Sequence, residues 1–382
     1  MKIDIIGSTK EGYVMPTDET LRFGSKSARI CYTPKDWEGI SNESDETLME
    51  TQNLTLTNGH QSVYEHVHYN FYFDGIPKIL AMVLNNENVY VTSEKSARYT
   101  KMKLEGREKE LYDKWFGKFK NQIGNTYPFI DEKTLGKLAQ ENARYLSSVF
   151  TPTKMEHTLP FRQVNYVMHW FNDFMSNAED TGFNSRLKIH MNEFNNLLQP
   201  LYVDELEPAV KHRSLTFLAK RNDFKEIFDE VYSTNYKTSF ASLAQAHRHR
   251  TLKYTMQPPN ASNGFYVPRI IANDIALTTE WLEDIESVKE SFPQGMLVEI
   301  NERGTYEDFV SKAGERLCGR AQLEIMVQTK KTMDKYVEAV KESNPAVYED
   351  ILPYSKGTKC TFPGFKCKEP CNFKTKSLER LI

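Results

Sequence analysis

Residues 244–250 read AQAHRHR and residues 93–100 read SEKSARYT. In the first stretch Gln245, Arg248 and His249 stand at i, i+3 and i+4, so a helix groups them on one side. Two Arg with an adjacent His suit an anion, because guanidinium forks match phosphate oxygens and flat conjugated rings. The same residues also suit a basic helix end favoured by the helix dipole. In the second stretch Glu94, Ser96 and Arg98 alternate, and an extended loop turns all three the same way. An acceptor, a hydroxyl and an Arg on one side can clamp a uracil edge, a ribose and a phosphate, or can line a solvated loop.

Each stretch follows a similar run of elements. In the first round KIDII at 2–6 predicts a strand and SKSARICY at 25–32 a helix end. ETLMETQNLTLTNG at 46–59 reads as a helix closed by Gly59. The alternating, aromatic VHYNFYFDG at 67–75 predicts a strand. PKILAMVLNN at 77–86 predicts a helix with Pro77 in its first turn. Residues 107–122 and 132–147 are further helices, and the Asn- and Asp-rich stretch at 172–186 reads as a loop. In the second round DFKEIFDEVY at 223–232 precedes KTSFASLAQAHRHR at 237–250, again strand, helix, then polar loop. Residues 306–340 have helical character. The expected organisation is a first half at 1–202, a second at 203–340, and a Cys-containing tail at 341–382.

Composition bounds the function. The 382 residues suit two or three domains at roughly 150 residues each. Lys plus Arg is 49 and Asp plus Glu is 52, a net charge of -3, which gives no global case for polymeric nucleic acid or an anionic membrane. No apolar run approaches the roughly 18 residues that span a bilayer. The N-terminal MKIDIIGSTKEGYVM is too short in apolar residues for a signal peptide, so a cytoplasmic protein is expected. Five Cys, with Cys31 and Cys318 far from the others, argue against a secreted disulfide framework.

Two further motifs hold chemistry. GHQSVYEH at 59–66 contains His60, Ser62, Glu65 and His66, without the i, i+4 His pair of a zincin helix. These read either as site residues or as satisfied polar groups at a helix-to-strand turn. CTFPGFKCKEPC places Cys360, Cys367 and Cys371 within twelve residues. With a distant fourth ligand they could bind zinc or an iron–sulfur cluster. Otherwise they are three reduced thiols on a structured tail.

Together these segments resemble the flavin-dependent thymidylate synthase (ThyX) family. Its RHRxxSxNExSxR signature, preceded by a Gln, is here divided. Gln245, Arg248, His249 and Arg250 match the Gln and RHR positions, but Lys253 stands at the serine and Met256, Pro258 and Asn260 replace the ExSxR residues. Glu94, Ser96 and Arg98 match ExSxR, but Asn86, Glu87 and Asn88 replace RHR, and Val91 the serine. GHQSVYEH and SARICY resemble upstream family motifs. Glu141–Arg144 (ENAR) resembles the stretch carrying a nucleotide-contacting Arg. RLCGRAQLEI, with Arg316, Arg320 and Gln322, resembles the downstream helix. Each half keeps what the other has lost, as expected of a tandem duplication that retained one composite site.

The resemblance implies an α/β (α+β) protein of two ThyX-like halves, each a mixed sheet packed with helices, arranged as a pseudo-dimer. It implies FAD, with NADPH and methylenetetrahydrofolate as co-substrates, and dUMP or a related pyrimidine nucleotide as substrate. It implies a homodimer mimicking the family's homotetramer. Arg248 is then expected to stabilise charge building on the uracil, with Gln245 and Arg316 beside it. His249, Arg250, His60, Ser62, Glu65 and Arg320 are expected around flavin or folate. Glu94, Ser96, Arg98, Arg144, Gln245 and Arg316 are expected around the nucleotide. Loss of both signature serines leaves open a different C5 modification, such as hydroxymethylation, or nucleotide binding without turnover.

Overall fold

A computed structural model of the chain describes residues 1–8, 10–98, 100, 102–208, 215–219, 221 and 223–382. It has mixed α/β architecture and divides into two compact units, residues 1–95 with 152–215, and residues 96–151 with 216–382. The segment 96–151 thus clusters with the C-terminal part of the chain, although in sequence it lies within the first half.

The first unit is built on a five-stranded antiparallel sheet. Its strands are β1 (Lys2–Ser8), β2 (Lys10–Glu11), β3 (His68–Pro77), β4 (Val91–Glu94) and β5 (Pro152–Pro160), in the order β2-β1-β3-β5-β4. Alternation in β3 sends Tyr69, Phe71 and Phe73 into the core. The helices Asp45–Thr57 and Lys78–Leu84 form where expected, with Ser44 capping the first and Gly59 left-handed (φ 69°) just beyond it. The loop expected over 172–186 is a correction: helices Phe161–Asn177 and Gly182–Leu197 occupy most of it. Their buried stripes, Val164, Val167, Met168 and Phe171, then Phe183, Leu187, Met191 and Phe194, outweigh the polar residues between. The chain turns only at 178–181, where Thr181 caps the second helix.

The second unit holds a four-stranded antiparallel sheet of β6 (Ile227–Phe228), β7 (Val231–Ser239), β8 (Lys253–Met256) and β9 (Leu297–Thr305), in the order β6-β7-β9-β8. Its connectivity repeats that of the first unit. In each, a long strand leads into a seven-residue helix and a four-residue strand, and a later long strand inserts between those two and leads into another helix. Segment 96–151 contributes helices Gly106–Thr126 and Glu132–Ala143. Trp115 packs edge-on against Trp281 of helix Ile275–Glu286, with ring centroids 4.9 Å apart, and its indole N–H donates to Asp284 at 2.7 Å.

Two sequence expectations are corrected in this unit. The helix carrying Gln245 ends at Ala246 (Phe240–Ala246), so Arg248 and His249 lie in the turn after it rather than on its face. Backbone bonds from Arg248 to Gln245 and from His249 to Ala246 tighten that turn. The helical region 306–340 is broken into Tyr306–Arg316 and Leu323–Ser343. A Cβ at Gly319, within the break, would lie 2.5 Å from Cys371 Sγ and Ser377 Oγ, so the tail is packed directly on it. Arg380 anchors the tail, buried and donating to the Ala321 carbonyl.

Candidate nucleotide site

The break between these helices organises a buried polar cluster in the second unit. Gln322, 3% exposed, is the extended residue capping Leu323–Ser343. Its side-chain oxygen accepts from an Arg144 terminal nitrogen and from the Gln245 amide, and its amide nitrogen donates to Tyr145 Oη. Tyr145 Oη donates in turn to Glu324 at 2.8 Å. Glu324 also accepts from Thr238 Oγ1, Ser239 N and Ser239 Oγ at 3.0, 2.8 and 2.6 Å. Burial pushes the Glu324 carboxyl up, against the opposing pull of these donors.

Arginines gather around this core. Arg316, the last residue of its helix, donates to the Gln245 carbonyl at 3.1 Å. Arg98 pairs with Glu141 and donates to the Arg320 carbonyl at 2.9 Å. Burial lowers the Arg144 and Arg316 pKa values, and cationic neighbours act the same way: Arg98 on Arg144, and Arg248 and Arg98 on Arg316. Four buried atoms of this group have no hydrogen-bond partner among the described residues: Arg144 Nε, Arg316 Nε, Gln245 Oε1 and His249 Nε2. Each orphaned polar atom costs about 1–3 kcal/mol in a native interior. Converging cations with unsatisfied donors and acceptors fit an anionic ligand carrying its own polar edge.

Burial, reinforced by Arg316 and Lys312, pushes the His249 imidazole down to about 2. The unfolded imidazole titrates near 6.5. Below that pH the unfolded chain binds a proton that the folded chain refuses, so stability is lost as pH falls. We expect His249 to cost up to about 1.4 kcal/mol per pH unit between pH 6.5 and 5. Urea melts across that window should show a shallower slope for His249→Asn. Equal slopes for the two proteins would remove His249 as the cause.

The other sequence candidates are dispersed. Arg248, Arg250 and Arg320 are exposed in the second unit, and Arg320 donates to the Pro370 carbonyl at 3.4 Å. Arg98, Glu141, Lys137, Arg320 and Phe373 line a cavity of about 340 Å³, so the tail forms part of its wall. The extended run expected over 94–98 stops at Glu94, a further correction. Glu94 sits in the first unit against Lys78 Nζ at 2.6 Å. Ser96 instead closes a turn, its Oγ accepting from Arg98 N at 3.3 Å. The GHQSVYEH stretch forms a one-turn helix, Gln61–Glu65, in the first unit. Buried Gln61 donates to the Glu205 carbonyl at 2.7 Å, and Tyr64 Oη bonds Thr55 at 2.8 Å. That leaves His60 and Ser62 exposed, and Glu65 paired with Arg162.

The tail cysteines are free thiols. Among the described residues no group of three or more His, Cys, Asp or Glu is gathered as a metal requires. Cys371 is turned onto Gly319 and accepts from Lys374 N at 3.3 Å, whereas Cys367 is exposed. Burial raises the Cys360 thiol pKa, and Cys367, Cys371 and Cys318 act in the same direction. Sequence reading gave no role to Tyr145, Gln322 or Glu324. The signal was present in RAQLEI, where two polar residues interrupt the start of an apolar helical pattern.

The family described as "Thymidylate synthase complementing protein" matches residues 15–177. A curated flavin-dependent thymidylate synthase of Clostridium tetani is 29% identical over 79 residues, 20% of this chain and 32% of the relative. The chain thus spans about a third of the length of that relative. Among solved structures, the UMP/dUMP methylase PolB of Streptomyces cacaoi, bound with 5-Br dUMP, aligns at TM-score 0.34 and 13% identity, over 55% of this chain and 92% of that one. ThyX of Helicobacter pylori, with FAD and dUMP, aligns at TM-score 0.32 and 17% identity, over 54% and 99%. Among the described residues no helix is long and apolar enough to cross a membrane. Residues 15–177 of the chain are thus similar to the thymidylate synthase complementing protein (ThyX) family.

Proposed function

We propose that the chain is a flavin-dependent thymidylate synthase-like enzyme, converting dUMP to dTMP with methylenetetrahydrofolate, FAD and NADPH. The observation that carries this reading is the arginine cluster of the second unit, with its orphaned Arg144, Arg316, Gln245 and His249 atoms. Arg98, Arg144 and Arg316 would hold the phosphate and base of the nucleotide, helped by Ser96. Gln245 would meet the base edge. Arg248, at the exposed turn, would oppose negative charge building on the uracil. His249, kept neutral, and Arg250 would hold the flavin. FAD, when bound, supplies the hydride that completes the new methyl group. We assign Glu94 to the same substrate set, and His60, Ser62, Glu65 and Arg320 to flavin or folate, from the family motifs alone. The shared connectivity of the two sheets supports a tandem duplication, and with it a homodimer standing in for a homotetramer.

The reading is tested by titrating the purified chain with FAD in the presence of dUMP. About one FAD per chain is expected, followed by release of label from C5-tritiated dUMP when NADPH and methylenetetrahydrofolate are added. FAD binding without label release would reduce the protein to a nucleotide-binding homologue. Absence of both FAD and dUMP binding would refute the reading. Val91 and Lys253 at the signature serine positions support a second reading, a different one-carbon outcome at C5. The mass of the product distinguishes a methyl from a hydroxymethyl group.

A further inference from the structure

The geometry points to Gln322, with Tyr145 and Glu324 behind it, as a polarity lock that sets which way the Gln245 amide faces and so makes the site read uracil rather than cytosine. This rests on the reading of a pyrimidine nucleotide site above.

An amide side chain is ambiguous, since its oxygen and nitrogen exchange by a half-turn. Here both ends of the chain of hydrogen bonds remove the ambiguity. At one end stands Arg144, whose guanidinium can only donate. The Gln322 atom that meets it must be the oxygen. At the other end stands Glu324, accepting from Tyr145 Oη at 2.8 Å as well as from Ser239 and Thr238. With its proton committed to Glu324, Tyr145 Oη can only accept, so the Gln322 atom facing it must be the nitrogen. The two requirements agree. The Gln245 atom that meets Gln322 Oε1 must then be its nitrogen, and the atom left over must be its oxygen.

That leftover oxygen is buried and without a hydrogen-bond partner, as is Arg144 Nε. Both side chains are held by the same Gln322 oxygen, and each is left with one unpartnered atom, an acceptor on Gln245 and a donor on Arg144. Uracil offers the complement: an N3–H donor next to carbonyl oxygens. Cytosine carries a bare N3 acceptor, which would meet Gln245 Oε1 with two lone pairs opposed. A free glutamine could turn over and accept cytosine; the lock withholds that escape. A site that leaves a buried polar pair mismatched discriminates by large factors.

The test compares dUMP and dCMP affinity by calorimetry in three proteins. The wild-type chain is expected to favour dUMP by more than about 100-fold. Gln322→Met removes the shared acceptor and frees Gln245, and the ratio should fall below about 10-fold. Gln322→Glu keeps an acceptor for both Arg144 and Gln245, with Tyr145 Oη turning its proton to the new carboxylate while Thr238 and Ser239 still serve Glu324, and the ratio should stay near the wild-type value. A merely structural Gln322 would weaken both nucleotides in parallel, and an unchanged ratio in Gln322→Met overturns the lock. If that variant does not fold, Gln245→Leu replaces it, with the same expected collapse and the same overturning result. A wild-type chain that binds dUMP without discriminating against dCMP overturns the lock alone. A wild-type chain that binds neither overturns the nucleotide reading with it.

Discussion

Replacing Arg144 by Met should weaken dUMP binding by about 100- to 1,000-fold, the scale of a buried charged partner lost from a binding site. It should do so without destabilising the ligand-free protein. Arg144 is only 5% exposed, its Nε has no partner among the described residues, and burial opposes its charge. Without ligand the guanidinium is therefore a cost, offset only in part by its bond to Gln322 and by the nearby Glu141 and Glu324 carboxyls. Met fills a similar volume without that cost, so the apo melting temperature should hold or rise while affinity falls. Arg144→Lys should not restore binding. A lysine ammonium cannot present two separate N–H groups to Gln322 and to a ligand in one plane. Calorimetric dUMP titration and a melting curve on the same samples decide this. Parallel loss of affinity and of melting temperature would make Arg144 a structural residue.

Much of the fold was legible in the sequence, and the reasons are local. Strands such as 67–75 and helices such as 46–59 carry their own period and caps, so neighbouring residues suffice to read them. Arg98 and Gln245 stand in spaced polar clusters, whereas Arg144 and Arg316 are named only through the family resemblance. What failed depended on distant contacts. The helix through 306–340 breaks because the C-terminal tail lies on Gly319, some fifty residues away in sequence. The loop expected at 172–186 is helical because flanking residues, Val164 to Phe171 on one side and Phe183 to Phe194 on the other, form the buried stripes of two helices that extend into it. The extended reading of 94–98 failed because the hydroxyl of Ser96 folds the chain back at Arg98. The lock residues were invisible as a group, since Tyr145 and Glu324 meet only in the folded unit.

The largest loss of stability should come from Lys312→Met. Lys312 and Glu302 are 1% and 0% exposed at their side chains and form an ion pair at 2.5 Å. Tyr232 and Tyr236 also donate to Glu302, so the carboxylate is fully engaged inside the second unit. Removing the lysine leaves a buried carboxylate with hydroxyl donors but no countercharge, which costs about 3–5 kcal/mol. The double substitution Lys312→Met with Glu302→Gln removes both charges and should recover most of that loss. Urea unfolding of the two single variants and the double variant measures the coupling directly. A single-variant loss below about 1 kcal/mol would place the pair among interactions that contribute little. The pair also bears on the site. Lys312 stands one turn before Arg316 on the same helix, and Glu302 lies on β9. The ion pair therefore pins to the sheet the turn that aims Arg316 at the Gln245 carbonyl. The double variant, although folded, lacks that tie, so it should keep its melting temperature better than its dUMP affinity.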